Sequence, residues 1–348
     1  MKKILNLLLS SALVIAAFCT ISCEKKIEPG AGNEPEAEYY VVSLGLGGEI
    51  EVEYEPLARS KGDNDIYGFQ VYSALDKDPV DEGGYSWIPY AYGLFDNIDN
   101  LTINLLKGYK YKFVATMVVD GKEKLPQDGE NPIYGEPFIW QDVSSAGWTP
   151  LANTFNYSAS AYLRGLESGG TFTNDGRHYA HPNTDRYYGE LEGYIPSSKG
   201  GKAKIHMKRT SFGAKFIANG KLAKSGTLEI QMAGAPRMEL NLAESNQISD
   251  TFTFSNVYEA WRDNQYRETI AININLHRTD GSTVPLGSHE IVYKRNATTV
   301  VKVNMENEGT QNPLGVEITE TGEMAEDPET ETTITDGEIV DTEIDTNK

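Results

Sequence analysis

The sequence predicts an all-β protein built from two antiparallel β-sandwich domains in tandem. Three observations predict this fold: apolar residues recur at every second position in many short segments, glycine-containing turn pairs separate those segments, and a helical period is scarce. Segment 49–55 is typical, because Ile50, Val52 and Tyr54 alternate with glutamates. Such alternation favours a strand with one buried and one solvated face.

The same period predicts most of the other strands. It occurs at 66–74, 101–105, 110–119, 203–207, 212–218, 227–232, 270–276, 290–294 and 299–305. Asp120-Gly121 and Asp280-Gly281 are typical hairpin ends, and 257–264 could form a short helical turn. Gly45-Leu46-Gly47-Gly48 lacks the spacing of a dinucleotide fingerprint, and we interpret it as a turn between two strands.

The first residues predict an export signal. Lys2 and Lys3 precede an apolar run that ends in Thr20-Ile21-Ser22-Cys23. Small residues before a cysteine resemble a bacterial lipobox, with Thr20 in place of the usual aliphatic residue, so we expect Cys23 to carry acyl chains such as palmitate. Ordinary secretion with cleavage nearby is the alternative. Two or three acyl chains would hold the protein on a bilayer stably, at ~0.8 kcal/mol per buried CH₂.

Composition then divides the chain. We expect a lipoprotein signal peptide at 1–22, a flexible tether at 23–38, an N-terminal sandwich at 39–198, a C-terminal sandwich at 199–306 and an acidic tail at 307–348. A boundary nearer 150 is the alternative, because 129–201 is rich in loop signals. Residues 306–345 contain fourteen acidic residues and neither Lys nor Arg. Charge blocks of this kind are usually disordered, but the end of this one keeps a strand-like alternation.

Charge and residue types exclude several function classes. The 348 residues carry a formal charge of −20, which disfavours nucleic acid and anionic lipid headgroups as partners. No recognised catalytic motif occurs, and the chain has only 2 Cys and 5 His. His178, His181 and Asp185 could meet around a metal, and 63–65 and 96–99 offer oxygen ligands, but a loop explains them as well. We therefore expect no enzyme activity, no metal and no cofactor.

Aromatic residues suggest a different binding function. Trp87, Trp140, Trp148 and Trp261, together with many tyrosines, could form a face on which sugars stack. Half-buried aromatics at the rim of a sheet are the alternative. A surface glycan-binding lipoprotein is thus the rival to a structural role.

Several stretches resemble the fimbrillin-like lipoproteins of Bacteroidetes, which include subunits and accessory proteins of the type V pilus. The resemblance lies in 65–72 (DIYGFQVY), 90–95 (YAYGLF), 109–113 (YKYKF), 208–216 (KRTSFGAKF) and 293–296 (YKRN). It implies fimbrillin or transthyretin-like sandwich domains and a lipid-anchored subunit of a fimbria, pilus or adhesin. It also implies location in the outer membrane, at the cell surface or in the fimbrium, with a periplasm-facing position as the alternative.

The resemblance further implies that subunits join by strand exchange. In family pilins a protease removes the first strand after a basic residue, and a neighbour's strand fills the groove. Here Arg59 is the candidate cleavage site, and it follows the candidate displaced strand of Ile50, Val52 and Tyr54; an ordinary surface loop is the alternative. The candidate donor strand lies in the tail and comprises Ile334, Ile339, Val340, Thr342 and Ile344. The expected partners are other fimbrial subunits and, through Cys23 alone, the lipid bilayer.

Overall fold

A computed structural model describes residues 38–48, 64–76, 87–128, 132–167, 184–197, 201–220, 225–305 and 314–323. The first group of strands is β1 (Tyr39–Gly48), β2 (Ile66–Leu75), β3 (Ile88–Phe95), β4 (Thr102–Leu106), β5 (Tyr109–Val118), β6 (Gln127–Asp128), β7 (Ile133–Gln141), β8 (Ala146–Pro150), β9 (Asn156–Tyr157), β10 (Tyr162–Leu163), β11 (Arg186–Tyr194) and β12 (Gly201–Arg209). The second group is β13 (Ser211–Asn219), β14 (Thr227–Met232), β15 (Met238–Asn241), β16 (Gln247–Thr253), β17 (Arg267–His277), β18 (Thr283–Lys294), β19 (Ala297–Met305) and β20 (Leu314–Glu323). Two short helices are described, α1 (Gly121–Lys124) and α2 (Val257–Arg262). The predicted all-β class is confirmed, and α2 lies where a helical turn was expected.

The first group of strands forms one large sheet and one small sheet. The large sheet has the order β4-β1-β12-β11-β5-β2-β3-β9, and the small sheet joins β6, β7, β8 and β10. One face of the large sheet encloses an inner cluster, to which β1, β2, β4, β5 and β12 all contribute apolar side chains. Its other face packs on the small sheet through an outer cluster that includes Leu94, Val114, Phe138 and Leu166. Strands β2, β3 and β5 are therefore buried on both faces, which explains their nearly continuous apolar sequences.

The second group of strands forms a sandwich of two four-stranded sheets. One sheet has the order β16-β13-β19-β20, and the other has the order β15-β14-β17-β18. Their facing sides share one core, in which Phe212, Phe216 and Phe252 are fully buried. Strand β17 shows the predicted alternation, since Ile270, Ile272, Ile274 and Leu276 are buried while the intervening residues are more exposed.

Among the described strands, β1 with β12 and β13 with β19 form parallel pairs, whereas most other pairs are antiparallel. Strand β1 pairs with β12 from Val42↔Gly201 to Gly48↔Met207, and β13 pairs with β19 from Gly213↔Thr298 to Asn219↔Asn304. Each pair joins strands that lie far apart in the sequence. A parallel pair cannot be closed by a short hairpin, so a long connection separates its members.

The chain passes from one set of sheets to the other at Thr210. Strand β12 belongs to the large sheet and β13 to the sandwich, and Thr210 is the one residue between them. The boundary expected near 198 falls before β12, whereas the sheets change after it. The domain boundary near 198 remains a prediction, because a period of two does not reveal which sheet a strand joins.

Candidate functional site

Strand β1 lies inside the large sheet, between β4 and β12. Its backbone pairs in parallel with β12, and on the other side the Leu44 amide donates to the Leu101 carbonyl at 2.9 Å. Tyr40, Val42, Leu44 and Leu46 point into the inner cluster and are at most 9% exposed. The strand thus supplies one row of the core of the first domain.

Sequence reasoning missed this strand, and the interpretation of Gly45 to Gly48 as a turn is wrong. These residues continue β1 and pair with 204–207 of β12. The signal that could have found the strand is the alternation of apolar residues from Tyr40 to Leu46. Glycine weakens a strand that stands alone, but pairing on both sides supports it here.

Most of the predicted site residues lie outside the described residues. These are Cys23, Ile50, Val52, Tyr54, Arg59, Ile334, Ile339, Val340, Thr342 and Ile344. The described part of β1 ends at Gly48, eleven positions before Arg59 in the sequence. A cut after Arg59 would therefore separate β1, together with 49–55, from the rest of the domain.

The acidic tail expected from residue 307 begins with a strand. Strand β20 pairs antiparallel with β19, from Met305↔Leu314 to Ala297↔Glu323, and it is the last strand of its sheet. Three glutamates, Glu317, Glu320 and Glu323, lie in this strand. Backbone pairing thus places 314–323 in the sheet of β13, β16 and β19, and the expected acidic tail of 307–348 remains a prediction.

The outer face of β12 is basic. Ala203, Ile205 and Met207 point into the inner cluster, so the alternate residues face the opposite side. Lys202, Lys204 and His206 are exposed there, and the parallel register places Ser43, Gly45 and Gly47 of β1 beside them. We call this surface, made of these three basic residues and their three neighbours, the basic lane.

An ion pair is buried between the start of β11 and the end of β12. The Arg209 Nε donates to Asp185 Oδ1 at 2.8 Å, and the Nη2 of the same guanidinium donates to Asp185 Oδ2. Each side chain is 10% exposed, and the guanidinium also lies over the ring of Tyr187 at 5.6 Å from its centroid. Such two-point geometry compensates much of the desolvation cost of the two charges. Asp185, one of the three candidate metal ligands, thus binds an arginine, and His178 and His181 lie outside the described residues.

Arg186 fastens three segments at the same junction. Its guanidinium donates to the Leu166 carbonyl at 2.9 Å, its amide donates to the Ser211 hydroxyl at 2.8 Å, and its carbonyl accepts from the Thr210 amide at 2.8 Å. Burial lowers the pKa of Arg186 to about 9, because the charged guanidinium is withdrawn from water. These hydrogen bonds join the start of β11 directly to Thr210 and the start of β13.

The oxygen-rich turn at 96–99 is held by protein groups. Lys122 Nζ lies 2.7 Å from one carboxylate oxygen of Asp96, and the Asn153 amide donates to the other at 2.7 Å. The hydrogen bond and charge of Lys122 hold the pKa of Asp96 below its ordinary value. Asp65 accepts from the Asp120 amide at 3.0 Å, and Asp63 lies outside the described residues. Within the described ranges, no group of three His, Cys, Asp or Glu side chains is placed to hold a metal ion.

The tryptophans are dispersed. The Trp261 ring packs edge-on against Tyr188 at 5.8 Å, and its Nε1 donates to the His206 carbonyl at 3.2 Å, which fastens α2 to β12. Trp140 packs at the margin of the outer cluster. Trp148 is 39% exposed, and its ring lies against Gly135, where an added Cβ would come within 3.0 Å. One tryptophan thus presents a large exposed area, on the small sheet.

Comparisons with known proteins give matches of structure only. No model of a protein family matches the chain, and no curated protein matches it. A proposed cell adhesion protein from Bacteroides eggerthii is 12% identical over 83% of this chain and 97% of its own, with a TM-score of 0.38. The fimbrial anchor protein Mfa2 from Porphyromonas gingivalis is 8% identical over 82% and 97% of the two chains, with a TM-score of 0.37. The tip fimbrial protein Mfa3 from the same organism, truncated at its C-terminus, is 8% identical over 81% and 99%, with a TM-score of 0.33.

The described helices say little about membrane contact. Neither α1 nor α2 has the length and apolar character needed to cross a bilayer. Cys23, the expected site of lipid attachment, lies outside the described residues.

Proposed function

We propose that the chain is a lipid-anchored structural subunit of a cell-envelope fimbria, pilus or adhesin, and that it joins neighbouring subunits by exchanging β-strands. The observation that carries the proposal is the position of β1. It is the first described strand, it contributes a row of core side chains, and it precedes a segment containing Arg59. A cut in that segment would leave β1 held by noncovalent contacts alone.

Loss of β1 would create a groove that another strand could fill. The groove would expose Ala203, Ile205 and Met207 of β12 to solvent, together with the backbone groups of β12 that pair with β1. Four apolar side chains of β1 would leave the core, at ~1.5–3 kcal/mol each before ordering costs. A strand of matching period restores both the backbone pairing and the apolar burial, so exchange gives a durable joint.

The proposed donor is the end of the acidic tail. Val340, Thr342 and Ile344 alternate with Asp341 and Glu343, so one side of this segment is suited to a groove and the other to water. Strand β20 supports the assignment, because it lies at the edge of its sheet and ends at Glu323, ahead of this segment in the sequence.

Limited proteolysis tests cleavage and assembly together. We expect a trypsin-like protease to cut after Arg59, and the cut protein to form ladders that resist SDS. The variant that carries Arg59→Ala and Lys61→Ala should resist the cut and stay monomeric. Mass spectrometry gives the site, and electrophoresis without heating gives the oligomers. A cut protein that remains monomeric at high concentration would contradict the proposal.

Deletion of residues 331–348 tests the donor. The truncated protein should still be cut but should form no ladder. Unchanged ladders would show that the tail is not the donor. The matched control replaces 331–348 with a Gly and Ser segment of equal length, which keeps the length of the tail and removes its alternation.

Lipid attachment is tested separately. Cells that express the chain with Cys23→Ser should release it in soluble form, whereas the unchanged chain should take up radiolabelled palmitate and fractionate with the outer membrane. Protease added to intact cells then separates a surface location from a periplasm-facing one. Palmitate-free protein in the membrane fraction would contradict anchoring through Cys23.

Trp148 favours a second candidate function, the binding of surface glycans. Its exposed ring stands on Gly135 and could stack on a sugar face. A glycan array with the purified protein and the Trp148→Ala variant tests this function. Binding that is lost in the variant, without any polymerisation after proteolysis, would favour the glycan-binding lipoprotein over the structural subunit.

A further inference from the structure

A small cavity lies on the outer face of the large sheet, beneath β10 and the residues that follow it. Gln70 and Tyr72 of β2 and Val114 of β5 form its floor, and residues 162–167, which we call the roof segment, cover it. Its volume is about 110 Å³. Because a cavity of ~150 Å³ can hold a benzene molecule, this one suits a chain of about five non-hydrogen atoms.

The roof segment is fastened to the sheet on both sides of the cavity. The Leu163 amide donates to Gln70 Oε1 at 2.8 Å, and the Thr116 hydroxyl donates to the Leu166 carbonyl at 3.1 Å. Gln70 and Thr116 are both buried. The walls are therefore in place before any ligand arrives, as in most binding sites for small molecules.

The paired carboxylate of this region lies one strand away from the floor. Glu190 of β11 is the cross-strand partner of Val114, and its side chain is 7% exposed. Lys112 Nζ lies 3.0 Å from Glu190 Oε2, and the Tyr188 hydroxyl donates to Oε1. Both oxygens of Glu190 thus have a donor, and the positive charge of Lys112 is taken up by this pair.

The unpaired carboxylate is that of Glu167, in the roof segment. Within the described residues, its side chain makes no hydrogen bond and no ion pair. Glu167 lines the cavity and is exposed, so it lies at the opening. Partial burial and the negative charge of Glu190 raise the pKa of Glu167, against a smaller opposing effect of Lys112. A cation beside Glu167 would relieve this cost.

The tyrosines of the cavity also favour a cation. Tyr72 and Tyr162 line it, and a tyrosine offers a hydroxyl oxygen that accepts a hydrogen bond and a ring whose face attracts positive charge. Burial, and then the charge of Glu167, raise the pKa of Tyr72, so the cavity resists a further negative charge. Arg164 lines the cavity as well, but it is exposed and forms no ion pair with Glu167. Its long stem can form part of the wall while its charge stays in water.

We propose that this cavity binds an alkylammonium group, a primary amine on a short aliphatic chain. The ammonium would pair with Glu167, and the methylenes would lie against Val114 and Leu166. An anion would meet the charges of Glu167 and Glu190, and a whole glycan needs a larger site, since pockets for drug-sized ligands measure ~300–1,000 Å³. The site goes beyond the strand exchange proposed above and does not depend on it.

Isothermal titration calorimetry of the full protein with butylamine at pH 7 tests the site. We expect a dissociation constant of about 1 mM, which about five non-hydrogen atoms can supply. Butan-1-ol has the same chain without the charge, and it should bind at least about tenfold more weakly. Equal affinity for butylamine and butan-1-ol, or tighter binding of butyrate than of butylamine, would overturn the proposal.

Three variants locate the binding. Glu167→Gln keeps the size of the side chain and removes its charge, so it should weaken butylamine binding about tenfold without changing the melting temperature. Glu290→Gln, at an exposed position of β18, is the matched control and should have no effect. Arg164→Ala should leave binding unchanged or strengthen it, because a positive charge is removed. Binding that survives Glu167→Gln, or that is lost in Arg164→Ala, would overturn the proposal.

Two sources could supply the alkylammonium group, a free aliphatic amine and a lysine side chain of another protein. Lysine with an acetylated α-amine and an N-methylamide separates them, because its side chain carries the one free amine. Binding as tight as that of butylamine would indicate a lysine side chain, and much weaker binding a free amine; both results support the site. The titrations use no protease, so protein that binds butylamine but forms no ladder would refute strand exchange and leave the cavity site standing.

Discussion

Truncation of Leu44 to alanine should loosen β1 and speed its replacement. The Leu44 side chain is 3% exposed within the inner cluster, and its amide is bonded to the Leu101 carbonyl. The change removes three buried carbons, worth ~2.4 kcal/mol by transfer, and the cavity left behind adds to this cost. We therefore expect the free energy of unfolding of the first domain to fall by about 3 kcal/mol.

Val41 provides the matched control in the same strand. It is 48% exposed and lies on the opposite face, so Val41→Ala should cost less than about 1 kcal/mol. Urea unfolding followed by circular dichroism measures both variants. After cleavage at Arg59, a loss of about 3 kcal/mol should accelerate the release of β1 by roughly a hundredfold, which size-exclusion chromatography of the cut protein can follow. Equal stabilities of the two variants would refute the burial of β1 that the whole proposal requires.

Three further predictions concern the first domain and its junction. Gly68→Ala should destabilise the protein by about 1–3 kcal/mol, because the new Cβ would lie 2.5 Å from the fully buried Phe138 ring. Urea unfolding should show that Phe138→Leu partly restores the stability of this variant. Additive losses of stability from the two substitutions would refute the clash. Asp96→Asn should lower the melting temperature at pH 7 but not below the depressed pKa of Asp96. A carboxyl whose pKa is lowered by folding stabilises the protein above its ordinary pKa, and that contribution is lost as the pH falls through the folded-state pKa. An equal loss of melting temperature at every pH would contradict this account. Asp185→Asn should cost about 3–5 kcal/mol in thermal unfolding, because Arg209 would remain buried without its counter-charge, and a loss below about 1 kcal/mol would contradict that account.

Strands with one buried face were the easiest to predict. The alternation at 270–276 and at 203–207 corresponds to β17 and β12, whose apolar residues enter a core while the others face water. In such strands one face is buried and the other is solvated, so apolar and polar residues alternate along the sequence. Their lengths were less well predicted, since pairing extends β17 to Arg267–His277 beyond the alternating residues.

The assignment of strands to sheets could not be predicted, because it depends on pairing between distant segments. In the large sheet, strand β12 lies between β11 and a parallel partner, β1, that lies more than a hundred residues earlier in the sequence. Strand β20 was hidden by its charge, since its glutamates suggested a solvated tail. The site residues from Ile50 to Arg59 and from Ile334 to Ile344 remain predictions.

The connection through Thr210 has a mechanical consequence. The Thr210 amide donates to the Arg186 carbonyl and its own carbonyl accepts from the Phe254 amide at 3.1 Å, so the residue between β12 and β13 is tied to both sets of sheets. Tension applied along the chain cannot extend a linker between β12 and β13, because Thr210 alone separates the two strands. If such subunits are strung end to end, this connection should transmit tension stiffly from one set of sheets to the other.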